Sequence, residues 1–201
     1  ALHSTPPHPS RHMVGLQQVR VVSDDALFIN AGRGALVTSE AVHSLLDRGV
    51  DVVLDTWPEE PHVSLELLNG VRYGTPHIAG YSQLSKNNAT DFLIPSLVDA
   101  FQLEFSEKVV ELPPEIGDLS TSGCADIVSL SRLLRAVGRI EQDDREFRRV
   151  WTRGHSPGLF ESQRRDYAMR QQLEGLVIST DQTPSSRLAN WLATLGVVIA
   201  R

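Results

Sequence analysis

A single cysteine, Cys124, stands among 201 residues. One thiol forms no internal disulfide and gives no cysteine-based metal spacing, so a disulfide scaffold and a zinc ribbon are excluded and a reducing cytoplasm is the expected setting. No metal is called for. Long apolar runs are absent too: no stretch approaches the roughly 20 apolar residues that span a bilayer, and the first residues hold neither a basic nor an apolar leader region. A membrane partner is therefore not expected, and Asn88-Ala-Thr90, although it fits the glycosylation pattern, carries no weight without a secretion signal. Positive charge is scarce. Nineteen Lys and Arg face 25 Asp and Glu, and the net charge of −6 argues against nucleic acid or anionic lipid as a partner. What is present is ordinary globular usage, 41% hydrophobic and 22% charged, in a length that suits one domain of fair size or two small ones.

The opening ALHSTPPHPSRHM has no period and reads as a loop. Beyond it, apolar runs alternate with helical patterns. Ala26 to Asn30 predicts a strand buried on both faces, and Thr38 or Ser39 caps a helix that carries Ala41, Val42, Leu45 and Leu46 and stops at Gly49. Asp51 to Leu54 predicts a second strand, Ser64 to Asn69 a short helix, and Val71 to Gly74 a third strand. That order is the order of a parallel α/β sheet, in which ligands sit beyond the carboxyl ends of the strands. The segments to read for chemistry are thus 30–34, 55–61 and 75–81. Residues 91–105 predict a helix with Pro95 as its kink or first turn, and the proline- and glycine-containing run 111–123 predicts a boundary. Farther on, Ile127, Leu130, Leu134, Val137 and Ile140 recur at helical spacing, 157–172 predicts a charged helix, and 176–178 and 197–200 predict strands on either side of a helix over 184–195. This last region is small for an independent core and is expected to pack against something.

Arg33 lies between Gly32 and Gly34 where the first strand ends. Glycine removes Cβ bulk and lets a ligand approach the backbone, while a guanidinium grips a carboxylate with two parallel hydrogen bonds. His77 closes the third apolar stretch in TPHIAGY, and WPEEP places Glu60 where a carboxylate can reach the imidazole. Taken alone, an arginine is most often a surface ion-pair partner and a loop histidine a hydrogen-bonded structural residue. Together they form a kit for oxidising a 2-hydroxy acid, with one group to hold the acid and another to take the hydroxyl proton.

The blocks NAGRGALV, VVLDTWPEEP and TPHIAGY resemble signature blocks of the D-isomer-specific 2-hydroxyacid dehydrogenases. The resemblance implies an α/β fold: the C-terminal half of a Rossmann-type parallel-sheet domain over 1–82, a connecting helix over 83–111 and a small α+β dimerisation domain over 112–201. It implies NAD as cofactor, with Arg33, Glu60 and His77 as the catalytic group, Arg33 on the substrate carboxylate, Glu60 rather than Glu59 supporting the imidazole, and His77 as acid and base. Thr5, Ala31, Gly32, Arg33, Asp55 and Gly80 match cofactor-lining positions. TPHIAGYS followed by a long C-terminal extension resembles the members that take a phosphorylated 2-hydroxy acid and pair as homodimers, and Tyr81 matches a substrate contact there. Two departures stand out. The glycine-rich GxGxxG turn that cradles the pyrophosphate does not occur, nor does its acidic ribose partner, so the chain is expected to be the C-terminal portion of an enzyme, and Thr38 replaces an acid or amide. Two other readings remain open at this stage: a non-catalytic pairing module, and a dehydrogenase for a different hydroxy acid.

Overall fold

The computed structural model describes residues 10–82, 85, 88, 91–104, 116–121, 123–167 and 172–200. Along the chain the elements are α1 (Leu16–Val19), β1 (Leu27–Asn30), a 3-10 turn (Gly34–Leu36), α2 (Ser39–Asp47), β2 (Asp51–Leu54), α3 (Leu65–Gly70) and β3 (Tyr73–Gly74). They continue with α4 (Ile94–Phe101), β4 (Ile116–Leu119), α5 (Asp126–Gly138), α6 (Ile140–Trp151), α7 (Pro157–Arg165), β5 (Val177–Thr180), α8 (Ser186–Thr194) and β6 (Val198–Ile199). None of the described helices is long and apolar enough to cross a membrane.

Two compact units form, one from residues 1–79 with 140–168 and the other from 80–139 with 169–201. The first holds a parallel sheet in the order β1-β2-β3, with Asn30 opposite Leu54 and Leu54 opposite Gly74. Its helices begin where the side chains dictate. The Thr38 hydroxyl accepts from the Ala41 amide and opens α2, so the unusual residue at this position serves as a cap, and Ser64 does the same for α3 through Leu67. Glu40 sits in the first turn of α2, and its carboxyl is held below the usual range by its own backbone N–H and then by the Thr38 hydroxyl. Gly49, at φ 77°, ends α2 in a conformation that suits glycine.

The expectation that β1 is buried on both faces is corrected by the structure. Leu27 and Ile29 are 59% and 58% exposed, while Phe28 packs against the core. With a period of two, one face of the strand is covered and the other, on an edge strand, is not covered by any described residue.

Residues 112–201 contribute to both units. The spacing from Ile127 to Ile140 reads as one helix, but Arg139 takes φ 52° and divides it, and α6 and α7 join the first unit. The reason is aromatic. Phe147, Trp151 and Phe160 are each 1% exposed and share a core with Trp57, with ring centroids 5.9 Å apart for Trp57 and Phe147 and 5.7 Å for Phe147 and Trp151. Polar contacts fix the register of that packing. The Asp144 carboxylate accepts from the Gly74 amide at 2.7 Å and pairs with Arg148, whose guanidinium donates to the carbonyls of Leu68 and Val71 at the end of α3. Those helix-end carbonyls have no intrahelical donor, so the arginine completes α3. Trp151 Nε1 donates to the Val63 carbonyl at 3.1 Å.

The second unit has a parallel sheet in the order β4-β5-β6, backed by a core that includes Leu133, Ile178, Leu188 and Leu192. Trp191 and Leu195 pack partly buried against it, so the apolar stripe of α8 is a core stripe. Pro95 lies in the first turn of α4, where its missing N–H costs no hydrogen bond.

If α6 belongs to the first unit's core, Phe147→Ala is expected to lower stability by about 3–5 kcal/mol, read by urea denaturation followed through tryptophan fluorescence.

Candidate active site

The site grows from three strand ends. Asn30, buried at the end of β1, folds the next residues back on themselves: its Oδ1 accepts from the Gly32 amide at 3.2 Å, and its Nδ2 donates to the Arg33 carbonyl at 3.1 Å. This short polar side chain turns a strand into a lip. Arg33 is half-buried with extended backbone, and its Nη1 donates to the Gly32 carbonyl at 2.8 Å. Nε and Nη2 have no partner among the described residues, which leaves one edge of the guanidinium for a ligand.

Gly34 serves a different purpose from the one its sequence context implies. A Cβ there would lie 1.7 Å from the Trp57 carbonyl oxygen, so the space is filled by the protein's own backbone and not by a ligand. The lip and the 55–60 loop are thereby pressed together.

Asp55, at the end of β2, is 6% exposed and organises the loop that bears the histidine. Its Oδ1 accepts from the Thr75 hydroxyl at 2.7 Å and from the Ile78 amide at 2.7 Å, and its Oδ2 accepts from the Ala79 amide at 3.0 Å. Its backbone carbonyl accepts from the His77 amide at 2.8 Å, and its own amide donates to the Asn30 carbonyl at 3.0 Å. A buried carboxylate needs donors of this kind to offset lost hydration. They hold His77 at φ 58°, a left-handed conformation that costs a residue with a side chain about 1–2 kcal/mol.

His77 Nδ1 lies 2.8 Å from Glu60 Oε1, and the two side chains are only 18% and 22% exposed. Glu60 is itself oriented, because its Oε2 accepts from the Trp57 amide at 3.0 Å. Glu59 is directed elsewhere and accepts from the Ser39 hydroxyl at 3.1 Å, so of the two adjacent acids only Glu60 meets the imidazole. A carboxylate at Nδ1 places the proton on that nitrogen and leaves the Nε2 lone pair free to accept another. Trp57 Nε1 donates to the Thr75 carbonyl at 2.9 Å and ties the two loops together.

The structure thus brings Glu60, His77 and Asp55 into one hydrogen-bonded group, and the lip of Ala31, Gly32 and Arg33 joins it through Asn30. Gly80 and Tyr81 fall in the second unit, and Thr5 lies outside the described residues. Asn30 and Thr75 fall within the segments read for chemistry but were not singled out as site residues, and Arg164 lies outside those segments. Thr75 sits within the TPHIAGY block and was accessible from it. Arg164 donates from Nε to the His77 carbonyl at 3.4 Å across 87 residues of chain, and no local pattern signals that contact.

Gly34→Ala is expected to lower the melting temperature sharply, because the new methyl group meets backbone and not a flexible side chain. Asp55→Ala is expected to speed hydrogen exchange at the Ile78 and Ala79 amides at least about tenfold, measured by NMR, with β2 amides little changed.

Residues 2–79 match the family described as the D-isomer-specific 2-hydroxyacid dehydrogenase NAD-binding domain, and residues 112–196 match a domain of unknown function. The chain is 32% identical over 202 residues to an erythronate-4-phosphate dehydrogenase of Serratia proteamaculans, covering 96% of this chain and 52% of that protein. It is 34% identical over 206 residues to the erythronate-4-phosphate dehydrogenase of Cellvibrio japonicus, covering 97% of this chain and 54% of that one. The chain therefore spans about half the length of the curated relatives it matches. Among solved structures, a glyoxylate reductase from Paecilomyes thermophila aligns with 50% of this chain and 32% of its own at 27% identity, with a TM-score of 0.42. The segment that carries Arg33, Asp55, Glu60 and His77 is the one that matches the NAD-binding domain of the D-isomer-specific 2-hydroxyacid dehydrogenases.

Proposed function

We propose that this chain carries the acid–base half of an NAD-dependent dehydrogenase that oxidises 4-phospho-D-erythronate at C2 to the 2-oxo acid, a step in pyridoxal 5'-phosphate formation. The observation that carries the reading is the pair His77 and Glu60, 2.8 Å apart, oriented on both sides by backbone and half-withdrawn from water. It leaves Nε2 as the base for the C2 hydroxyl proton. As that proton arrives, the ring becomes an imidazolium, and the Glu60 carboxylate at Nδ1 stabilises the charge. Arg33 holds the substrate carboxylate through the free Nε and Nη2 edge, which fixes C2 relative to the histidine.

NAD, when bound, supplies the acceptor for the hydride that leaves C2 as the C–O bond becomes a carbonyl. The residues present fit such a group. Ala31 is exposed at the tip of the lip, Gly32 and Arg33 follow it at the carboxyl end of β1, and Asp55 Oδ2 uses one acceptor position on Ala79 and keeps another for a donor. Thr5 and Gly80 complete the proposed cofactor contacts, and Tyr81 is proposed as a contact to the phosphorylated substrate. The substrate is a small anionic hydroxy acid, and the proposed assembly is a homodimer formed through residues 112–201. Exposed Ile127, Val128 and Leu134 on α5 support that pairing.

The test is NADH formation from 4-phospho-D-erythronate by the purified protein. His77→Gln is expected to lower kcat by about 100- to 10,000-fold. Arg33→Ala is expected to raise KM and lower kcat together, because the same contact binds and aligns the substrate. A His77→Gln protein that retains near-normal turnover overturns the mechanism.

A further inference from the structure

We propose that Arg164, on α7, is a positioning residue for His77, so that the segment matched to a domain of unknown function contributes directly to the order of the acid–base site. The inference rests on the dehydrogenase reading only for its kinetic arm.

Helix α7 is anchored by Phe160, which is buried in the aromatic core with Trp151 and Phe147. Arg164 lies four residues farther on, on the same face of the helix, so the packing of Phe160 dictates where its side chain goes. The guanidinium Nε donates to the His77 carbonyl at 3.4 Å, and Nη1 is held by both Glu161 oxygens at 3.1 and 3.2 Å. The arginine side chain is 24% exposed.

His77 needs this support for a stated reason. Its backbone is left-handed, a conformation that costs a residue with a side chain about 1–2 kcal/mol and persists only where the surroundings hold it. The His77 N–H is bound to the Asp55 carbonyl and the ring Nδ1 to Glu60. The carbonyl is the remaining backbone handle, and Arg164 takes it. With all three tied, Nε2 is the one polar atom of His77 with no partner among the described residues. The Glu161 pair also explains why Arg164 is not assigned to the substrate, since a carboxylate already occupies one of its nitrogens and neutralises its charge toward an anion.

The test uses Arg164→Met, which keeps the apolar stem and removes the donors, beside Arg164→Lys, which keeps one charged donor. Arg165→Met serves as the control, because Arg165 is an exposed neighbour paired with Asp166. Amide exchange measured by NMR on the 201-residue chain is expected to be at least about fivefold faster at His77 and Ile78 in Arg164→Met. Exchange at β1 and β2 should be unchanged, Arg164→Lys intermediate and Arg165→Met like wild type. In the turnover assay Arg164→Met is expected to lower kcat about tenfold with KM for the hydroxy acid within about twofold. Unchanged exchange at His77 and Ile78 overturns the proposal, and so does a large rise in KM with kcat kept, which would make Arg164 a substrate contact. If Arg164→Met does not fold, Arg164→Gln is read by the same exchange criterion. Exchange needs no turnover, so a wild-type protein silent toward 4-phospho-D-erythronate would sink the functional reading and leave this one decided on its own measurement.

Discussion

The buried carboxylate of Asp55 is the contact on which the rest of the site depends. A charge withdrawn from water is tolerated only where donors replace its hydration, and here they come from the Thr75 hydroxyl and the amides of Ile78 and Ala79. The need of one carboxylate therefore dictates the course of a whole loop. It turns the chain sharply enough to set His77 in a left-handed conformation, and the Asp55 amide donates to the Asn30 carbonyl and fastens the arginine lip. Lip, strand end and histidine loop belong to one hydrogen-bonded network because one side chain and its peptide group join them.

The second constraint is the aromatic cluster around Trp57. This residue faces both ways: its ring is buried against Phe147, its indole N–H holds the Thr75 carbonyl, and its backbone amide orients Glu60. Gly34 exists as glycine because the Trp57 carbonyl presses on it. The hydrophobic core and the acid–base pair thus share a residue, and the energy of burying large rings is used to hold a glutamate at a set distance from a histidine. That is how a small sheet, with only two residues in its third strand, presents a preorganised site.

The core also explains why α6 and α7 leave their sequence neighbours. Phe147 packs against Trp57 from a distant part of the chain, and Trp151 and Phe160 join the same core behind it. Asp144 and Arg148 then give that contact a fixed register by pairing with each other and with the ends of β3 and α3. Arg164 arrives beside His77 as a consequence of the same packing.

Much of this was legible in the residues themselves, because local chemistry governed it. Thr38, Ser64 and Gly49 mark helix ends through their own hydrogen bonds or dihedral freedom, and parallel strands alternating with helices place Arg33, Asp55 and His77 at one end of the sheet. Glu60 was singled out over Glu59 by its place before Pro61, and the imidazole meets it. Other features depend on groups far apart in the chain. Leu27 and Ile29 look like a doubly buried strand because a run of apolar residues does not say whether a second layer will cover it. Gly34 looks like room for a ligand because sequence does not show whose backbone will approach. The break at Arg139, the return of α6 and α7 to the first unit and the reach of Arg164 to His77 follow from how large side chains fill a shared core, a property of the assembled chain and of no segment within it. The sequence by itself determined the chemical groups and the strand ends that carry them. Only tertiary packing decided which of them touch, because contact across 87 residues is set by the shape of the buried core and not by spacing.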